Sequence, residues 1–442
     1  MINLRELFAL SPSQPLPESL YLALAILDDV QVEKLDAFTV KFHFPRKNYA
    51  NLENAGYLRL VAEHYYDTGR KLTEHPKRDV PLGVGPYKFV KWDRNTSIVV
   101  ERWEDYWGEL APSIQRVDFK IISDVVVAYQ VFRKGDIDAM GSVGVWTYTQ
   151  KSVGEQFDRH FYKLSYDRPG YEYVGYNCRR SFFSDPRCRQ AMSHLIDTRA
   201  AVDNILLGLF PIVTGPYFYK EPGYDAELPR YEYNVEKAKA LLDEAGWKDS
   251  DGDGVRDKDL NGDGIISDEP LDRDGNQREK FVFEYLTSDP DAQNSWVMLS
   301  FLRNGPKVGV VCRARSVEGA LKLEWLRDKK WDAGGGGWVV GMESDPYTFF
   351  HSSQGADGFN FGGYASPRAD RMMEAARQEL DKEQRTRLFR QLHRILWEEQ
   401  PYTFLIGHNW RWVLNKRVKN VRLYDLGLDF LEWELAGHES GT

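Results

Sequence analysis

The chain has 442 residues, a net charge of −9 and 42% hydrophobic residues, with a mean hydropathy of −0.54. That length predicts two or three domains with ample buried surface, and the acidic balance argues against a nucleic-acid partner, which would need concentrated Lys and Arg. No apolar run approaches the roughly 20 residues of a membrane helix, and Met1 to Arg5 opens no signal-peptide pattern, so no membrane insertion is expected of this chain.

In chain order, Phe38 to Phe44 alternates with a period of two and predicts a strand. Gly83-Val84-Gly85-Pro86 feeds a second strand through Trp92, with Ser97 to Arg102 as its hairpin partner. The glycines lack the spacing of a phosphate loop. Trp103, Tyr106 and Trp107 form an aromatic knot, which reads as a structural plug. Val117 to Ile122, Ala128 to Lys134 and Ile137 to Met140 read as strand, helix and strand, an order that implies a parallel crossover in an α/β sheet.

Tyr171 to Asn177 predicts another strand. Asp185 and Pro186 then cap and open a helix, Thr198 caps the next, and Asn234 caps one that stops at Gly246. Phe281 to Leu286 and Val308 to Ala314 are further strands. Gly334 to Tyr364 combines a glycine run with Trp338, Asp345, Tyr347, Asn360 and Tyr364. Glycines allow close backbone approach and aromatic faces supply contact area, so this stretch reads as a pocket wall. Ser366-Pro367 opens a long helical region ended by Pro401, and Tyr402 to Ile406 and Trp410 to Leu414 return as strands. Aromatic residues make up 14% of the chain, which suits enclosure of a ligand and is equally open to core packing. Cys178, Cys188 and Cys312 are too few and too irregular for a metal cluster; Cys178 and Cys188 either pair across a turn or stay as inert thiols.

The ordered motifs resemble the extracellular solute-binding protein family 5, the oligopeptide-, dipeptide- and nickel-binding components of ABC importers. They are Gly83 to Phe89, the Asn95 to Trp107 hairpin, Gly135-Asp136-Ile137-Asp138, Phe183 to Arg187 running into Arg189-Gln190-Ala191 and Ile196-Asp197, Gly208 to Pro216, Ala238 to Trp247, Trp338 to Pro346, and Gly363-Tyr364 with Asp370. The resemblance implies an α/β, periplasmic-binding-protein-like fold of class II (cluster C) type with two lobes closing over a ligand, and an ABC permease as partner. It implies a first lobe at 81–174 and 411–442, a second at 175–410, and residues 1–80 as the remnant of an extra β-rich subdomain. Family members begin well before the point where this sequence starts, so the first lobe is expected to be incomplete, as in a fragment, a sequence with a misplaced start codon or a degenerate copy. Periplasmic or extracytoplasmic location follows from the resemblance alone.

The resemblance also implies that Trp338, Asp345, Tyr347, Asn360 and Tyr364, with Tyr176 and Asn177 at the lobe boundary, contact the solute. Peptide-binding members place an aspartate shortly after this tryptophan to hold the ligand's α-amino group. Here Val339-Val340-Gly341-Met342 follows; Glu343 is a substitute, and Asp345 either takes the role or caps a helix starting at Pro346.

Between Asp249 and Asp274 ten acids stand against three bases, −7 of the total −9. Asp249, Asp251, Asp253 and Asp257 with Gly254 fit positions 1, 3, 5, 9 and 6 of a calcium loop, and Asp259, Asn261 and Asp263 begin a second copy ten residues later. Neither copy has the acid at position 12, and helices do not flank them. Structural Ca²⁺ outside an EF-hand is the favoured reading, and a solvated loop the alternative. The leading function is capture of a peptide or similar small solute for delivery to a permease, with a calcium-dependent adhesion module or a non-transporting copy as alternatives. No His-Glu-x-x-His or Gly-x-Ser-x-Gly supports a hydrolase.

Overall fold

A computed structural model describes residues 30–36, 39–56, 63–66, 75–77, 79–260, 278–288, 292–356 and 358–436. The chain divides into two compact units, one taking residues up to Tyr166 and from Trp410 onward, the other Asp167–Asn409. Both divisions fall inside long strands, where the expected ones lay at 174/175 and 410/411.

In the first unit β1 (Gln31–Lys34) pairs antiparallel with β2 (Val40–His43). The strands β3 (Tyr87–Asp93), β4 (Ser97–Arg102) and β5 (Arg116–Lys120) form a three-stranded antiparallel sheet. Helix α1 (Val125–Lys134) is capped by Asp124, which accepts from the Val126 and Val127 amides, and stops at Gly135 with φ 85°. Its buried face carries Ala128, Tyr129 and Phe132, the spacing of one helical stripe.

The parallel crossover expected around α1 does not form. β5 is taken by the free edge of β4 through Val100↔Val117, and β6 (Ala139–Met140) pairs antiparallel with Leu414 and Val413 instead. β5 keeps one free edge, but β6 is the edge strand of the sheet that holds Val413 and Leu414, so α1 links two different sheets. A second small core gathers Leu414, Val418 and Trp433.

The second unit begins within β7 (Phe161–Tyr176). Helix α2 (Pro186–Ser193) has Asp185 as its cap and Pro186 at its first position, as expected. The short helix Thr198–Asn204 is capped by Asp197, whose side chain accepts from the Ala200 amide, and not by Thr198. A cap must precede the helical backbone, and Thr198 is already inside it. Asn234 caps α3 (Val235–Glu244) through the Lys237 amide.

Strands β8 (Asp257–Asp259) and β9 (Arg278–Lys280) form a hairpin before β10 (Val282–Thr287). Helix α4 (Ala292–Asn304) connects β10 to β11 (Val311–Ser316), which runs parallel to it. After α5 (Gly319–Arg327), β12 (Ala333–Val339) returns to the other side of β10, so the parallel crossovers of the chain are here. The helical stretch after Ser366 is two helices, α6 (Pro367–Gln378) and α7 (Lys382–Glu399), because Asp381 turns out of the helix and caps α7 through Gln384. The two strands expected after Pro401 are one, β13 (Tyr402–Asn415). The resulting order is β11-β10-β12-β7-β13.

Aromatic side chains fill this unit. Trp247, Tyr171, Tyr176, Tyr217, Tyr285, Phe281, Phe283, Phe301 and Phe350 are all fully buried, and Tyr173 stacks on Tyr402 with centroids 3.9 Å apart. Most of the aromatic content is thus core. Cys178, Cys188 and Cys312 are free thiols.

Candidate functional site

The glycine run lies on β12, a strand with one side left open. β10 covers only Ala333 and Gly334, whereas β7 pairs with every residue of β12 from Ala333↔Tyr176 to Val339↔Gly170. The Val340 amide donates to Pro169 O, so even-numbered residues turn their backbone groups toward β7. By the alternation of an antiparallel pair, Gly335, Gly337 and Val339 turn theirs away from it. Gly335 O accepts from Lys322 Nζ on α5 at 2.6 Å. Beyond it, Gly337 and Val339 present N–H and C=O groups with no backbone partner among the described residues. Gly337 is exposed and Val339 is 54% exposed.

Close approach explains two of the glycines. A Cβ on Gly336 would stand 2.8 Å from the Tyr173 ring, and one on Gly337 2.8 Å from the Glu172 carboxylate. Glu172 is hydrogen-bonded to His408 Nε2 at 3.1 Å. Burial lowers the pKa of the nearby Lys322, and the Glu172 charge opposes that shift.

Apart from the Trp338 indole N–H, which is buried without a partner among the described residues, the residues expected to line the pocket have their polar groups engaged within the unit. Trp338 is 3% exposed, packed against Phe349 at 4.3 Å and stacked with Tyr173. Asn360 donates to His351 O and Tyr364 O and accepts from the Tyr364 amide, locking a turn. Tyr364 Oη donates to Glu399 at 2.6 Å, and Tyr176 Oη lies 2.7 Å from Thr403 Oγ1. Asn177 donates to Trp331 O and accepts from the Arg179 amide. Tyr347 is sandwiched between His351, stacked at 4.0 Å, and the Arg377 guanidinium at 3.5 Å.

Both candidate amine anchors are engaged as well. Asp345 accepts from the Tyr347 amide at 3.1 Å, the capping alternative, and pairs with Arg377 Nε at 2.6 Å. Glu343 pairs with Lys382 and Arg385, each at 2.9 Å. These bonds, after the strong cost of burial, hold the Glu343 pKa below the usual value. Behind this loop is a carboxyl that sequence reasoning missed. Glu221 is buried, accepts from the Ser344 amide at 3.1 Å through Oε1, and leaves Oε2 without a partner among the described residues. Burial, with the Glu343 charge adding to it, pushes its pKa up to about 8.

Two hydroxyl–imidazole pairs invite a catalytic reading. Ser353 Oγ is 2.8 Å from His351 Nδ1, but that nitrogen also accepts from the Ser353 amide at 3.2 Å and the ring is stacked on Tyr347. Thr214 Oγ1 is 3.2 Å from His393 Nε2, but His393 Nδ1 accepts from the Asp225 amide at 2.9 Å. The ring proton is therefore on Nε2 and is donated to the threonine, the reverse of what a general base needs. Burial lowers the pKa of His393 to about 4.

In the acidic loop, carboxylate oxygens of Asp249, Asp251 and Asp257 lie within 4.8 Å of one another. Asp249 accepts from the Gly252 and Gly254 amides, at 2.9 and 3.0 Å, across glycines with φ 77° and 87°. Asp253 pairs with Lys280, which also reaches Asp251 at 3.3 Å. Asp259 is in β8, opposite Arg278. Asn261 and Asp263 lie outside the described residues.

The unpaired glycine edge of β12 and the ion-paired loops beside it make a surface of this α/β unit that an extended chain could join. A structure of the oligopeptide-binding protein AppA from Bacillus subtilis, in complex with a nonapeptide, superposes with a TM-score of 0.76 at 26% identity, covering 93% of this chain and 79% of that one. In sequence this chain is 31% identical to Bacillus subtilis AppA over 338 residues, 75% of this chain and 58% of the relative. It is 28% identical to protein XP55 of Streptomyces lividans over 395 residues, 86% of this chain and 64% of the relative. The chain thus spans about three-fifths of the length of these relatives. The model of the bacterial extracellular solute-binding proteins, family 5, matches residues 9–361, and the chain belongs to that family. No helix among the described residues is long and apolar enough to cross a membrane.

Proposed function

We propose that this chain is the substrate-binding component of an ABC importer, working outside the cytoplasm and passing a peptide or similar small solute to a permease. The observation that carries the reading is the open edge of β12. A peptide in extended form adds to such an edge as a further strand, its main chain bonding to Gly337 and Val339 whatever its side chains. Each such bond contributes about 0.5–1.5 kcal/mol net. The name of the AppA relative and its nonapeptide complex support a peptide as solute. Trp338, Asn360 and Tyr364 then act as the packed wall behind the edge, and Asp345 and Tyr347 as a brace for it.

The test is titration of the purified chain with a randomised hexapeptide library, followed by Trp fluorescence, with mass analysis of what is eluted. Intact peptides should be retained; cleaved peptides would point to an enzyme, and a response to calcium alone to an adhesion module. Val339→Pro removes one outward N–H from an exposed edge position, which the fold tolerates. Affinity should fall about tenfold, the equivalent of one such bond, with thermal stability little changed.

The acidic loop fits a structural Ca²⁺. Asp249, Asp251 and Asp257 would supply hard oxygen ligands, and the Lys280 ammonium stands in for part of the neutralising charge. Calcium takes six to eight oxygens, and the ion would hold the β8–β9 hairpin by offsetting the repulsion of the loop.

A further inference from the structure

We propose that a crevice within the unit spanning Asp167–Asn409 is a second small-ligand site, and that it takes a free α-amino acid with an aliphatic side chain. The proposal does not depend on the peptide reading of β12.

The crevice has a volume of about 490 Å³, part of it open to solvent, which is within the range of cavities that hold small molecules. Ile212, Val213 and Phe404 give it an apolar wall. β7 takes one edge of β13, and Ile212 bridges Ile406 on that strand, so the crevice is separated from β12 by β7 and β13. It is also at the other end of the sheet from Val339. Thr403, which lines it, is bonded to Tyr176, the residue opposite Ala333 at the start of β12.

The deepest lining is polar, with Ser193 and Gln400 each 2% exposed and Thr403 4% exposed. Gln400 ends α7 with φ 44°, a left-handed conformation that glycine adopts without strain, and strain of this kind collects at functional positions. Its Oε1 accepts from Ser193 Oγ at 2.9 Å and its Nε2 donates to Trp397 O at 2.8 Å. A carboxamide carries two N–H groups, and the second has no acceptor among the described residues.

The exposed lining carries both signs of charge. The Arg230 guanidinium makes no hydrogen bond or ion pair among the described residues, and Arg199 reaches only Asp203, at 3.9 Å. Asp197 uses Oδ1 to accept from the Ala200 amide at 2.9 Å, and its other oxygen has no partner among the described residues. A ligand that satisfies all of these is a small zwitterion with an apolar part. An α-amino acid places its carboxylate on Arg230, where a guanidinium binds it bidentately, its ammonium on Asp197, and its aliphatic side chain against Ile212, Val213 and Phe404. An extended hexapeptide has its end charges about 20 Å apart and cannot bring both to one crevice.

The experiment titrates L-leucine into the purified chain by calorimetry, beside 4-methylpentanoate, which lacks the amine, and isoamylamine, which lacks the carboxylate. Leucine should bind at millimolar concentration or below, and each analogue at least tenfold more weakly. Arg230→Gln, a change at an exposed position, should weaken leucine at least tenfold, to the level of isoamylamine, and leave the melting temperature of the free chain in place. Arg230→Lys should recover part of the loss. The inference is overturned if leucine does not bind at millimolar concentration, if either analogue binds as well as leucine, or if Arg230→Gln binds leucine as the wild-type chain does. It is overturned too if a hexapeptide retained from the library displaces leucine, since leucine would then be on the β12 edge. A chain that retains no peptide but binds leucine through Arg230 would refute the peptide reading and leave this inference in place.

Discussion

Glu221 shows how a single buried group couples the candidate site to pH. Its carboxyl is 5% exposed, its pKa is pushed up to about 8, and the charged groups facing it come through Glu343 with its partners Lys382 and Arg385. A folded-state pKa above the unfolded value means that the native chain holds a proton that the unfolded chain has released. The stabilisation is complete below about pH 4.5 and is lost as pH rises toward 8. Glu221→Gln keeps the acceptor for the Ser344 amide and cannot ionise. It should match the wild-type chain at pH 4.5 and exceed it by roughly 1–3 kcal/mol above pH 8, as read by urea unfolding at the two pH values. Equal stability at both would mean that the carboxyl is not held protonated. Glu221 was not legible in the sequence, because nothing in Lys220-Glu221-Pro222 says that the side chain turns inward. Asp345 was half legible: the Asp-Pro turn gave the cap, while its partner Arg377 is 32 positions away and no local pattern announces it.

At the scale of elements, the stretch from Gly334 to Tyr364 was legible as a place where backbones come close, and the reason is the one expected, glycine. Which atoms then matter was not legible. Strand alternation sends Trp338 to the face shared with Tyr173, where it packs, and leaves the exposed positions to Gly337 and Val339, whose side chains carry little information. The parallel crossovers were misplaced to α1 for a related reason: a strand's partner is set by the whole sheet, and β6 finds its partner in β13, far along the chain, rather than in β5. The contrast between neighbours is testable. Trp338→Ala should cost about 3–5 kcal/mol, the usual range for emptying a core position of this size, and abolish binding by unfolding the wall. Val339→Pro, one residue on, should weaken binding without moving the melting temperature by more than a few degrees. If Trp338→Ala instead kept full stability and lost only affinity, the indole would be a ligand contact and not core.

For the whole molecule, the division of the chain into two compact units makes a single unfolding free energy ill defined, and this gives the proposed calcium site its decisive test. The loop belongs to the unit spanning Asp167–Asn409, and its charges are concentrated in about two dozen positions of a chain otherwise near neutrality. An ion bound there stabilises only the folded state of that unit, by about 2.7 kcal/mol when its concentration is a hundred times the dissociation constant. Calorimetry of the chain should then show one transition that moves upward with millimolar calcium and returns with a chelator, while the other stays in place. Asp251→Asn should abolish the shift with little effect in the chelated state, since the Asp251 carboxylate is exposed and its folded-state partner is Lys280. Magnesium should be a poor substitute, because it demands a tighter octahedral shell than a flexible loop of carboxylates supplies. If neither transition responds to calcium, the loop is a solvated acidic insertion held by Lys280. The peptide transition offers the internal control: a peptide bound on β12 should raise the same unit's transition with or without calcium, because Gly337 and Val339 share no contact with the Asp249–Asp257 loop among the described bonds.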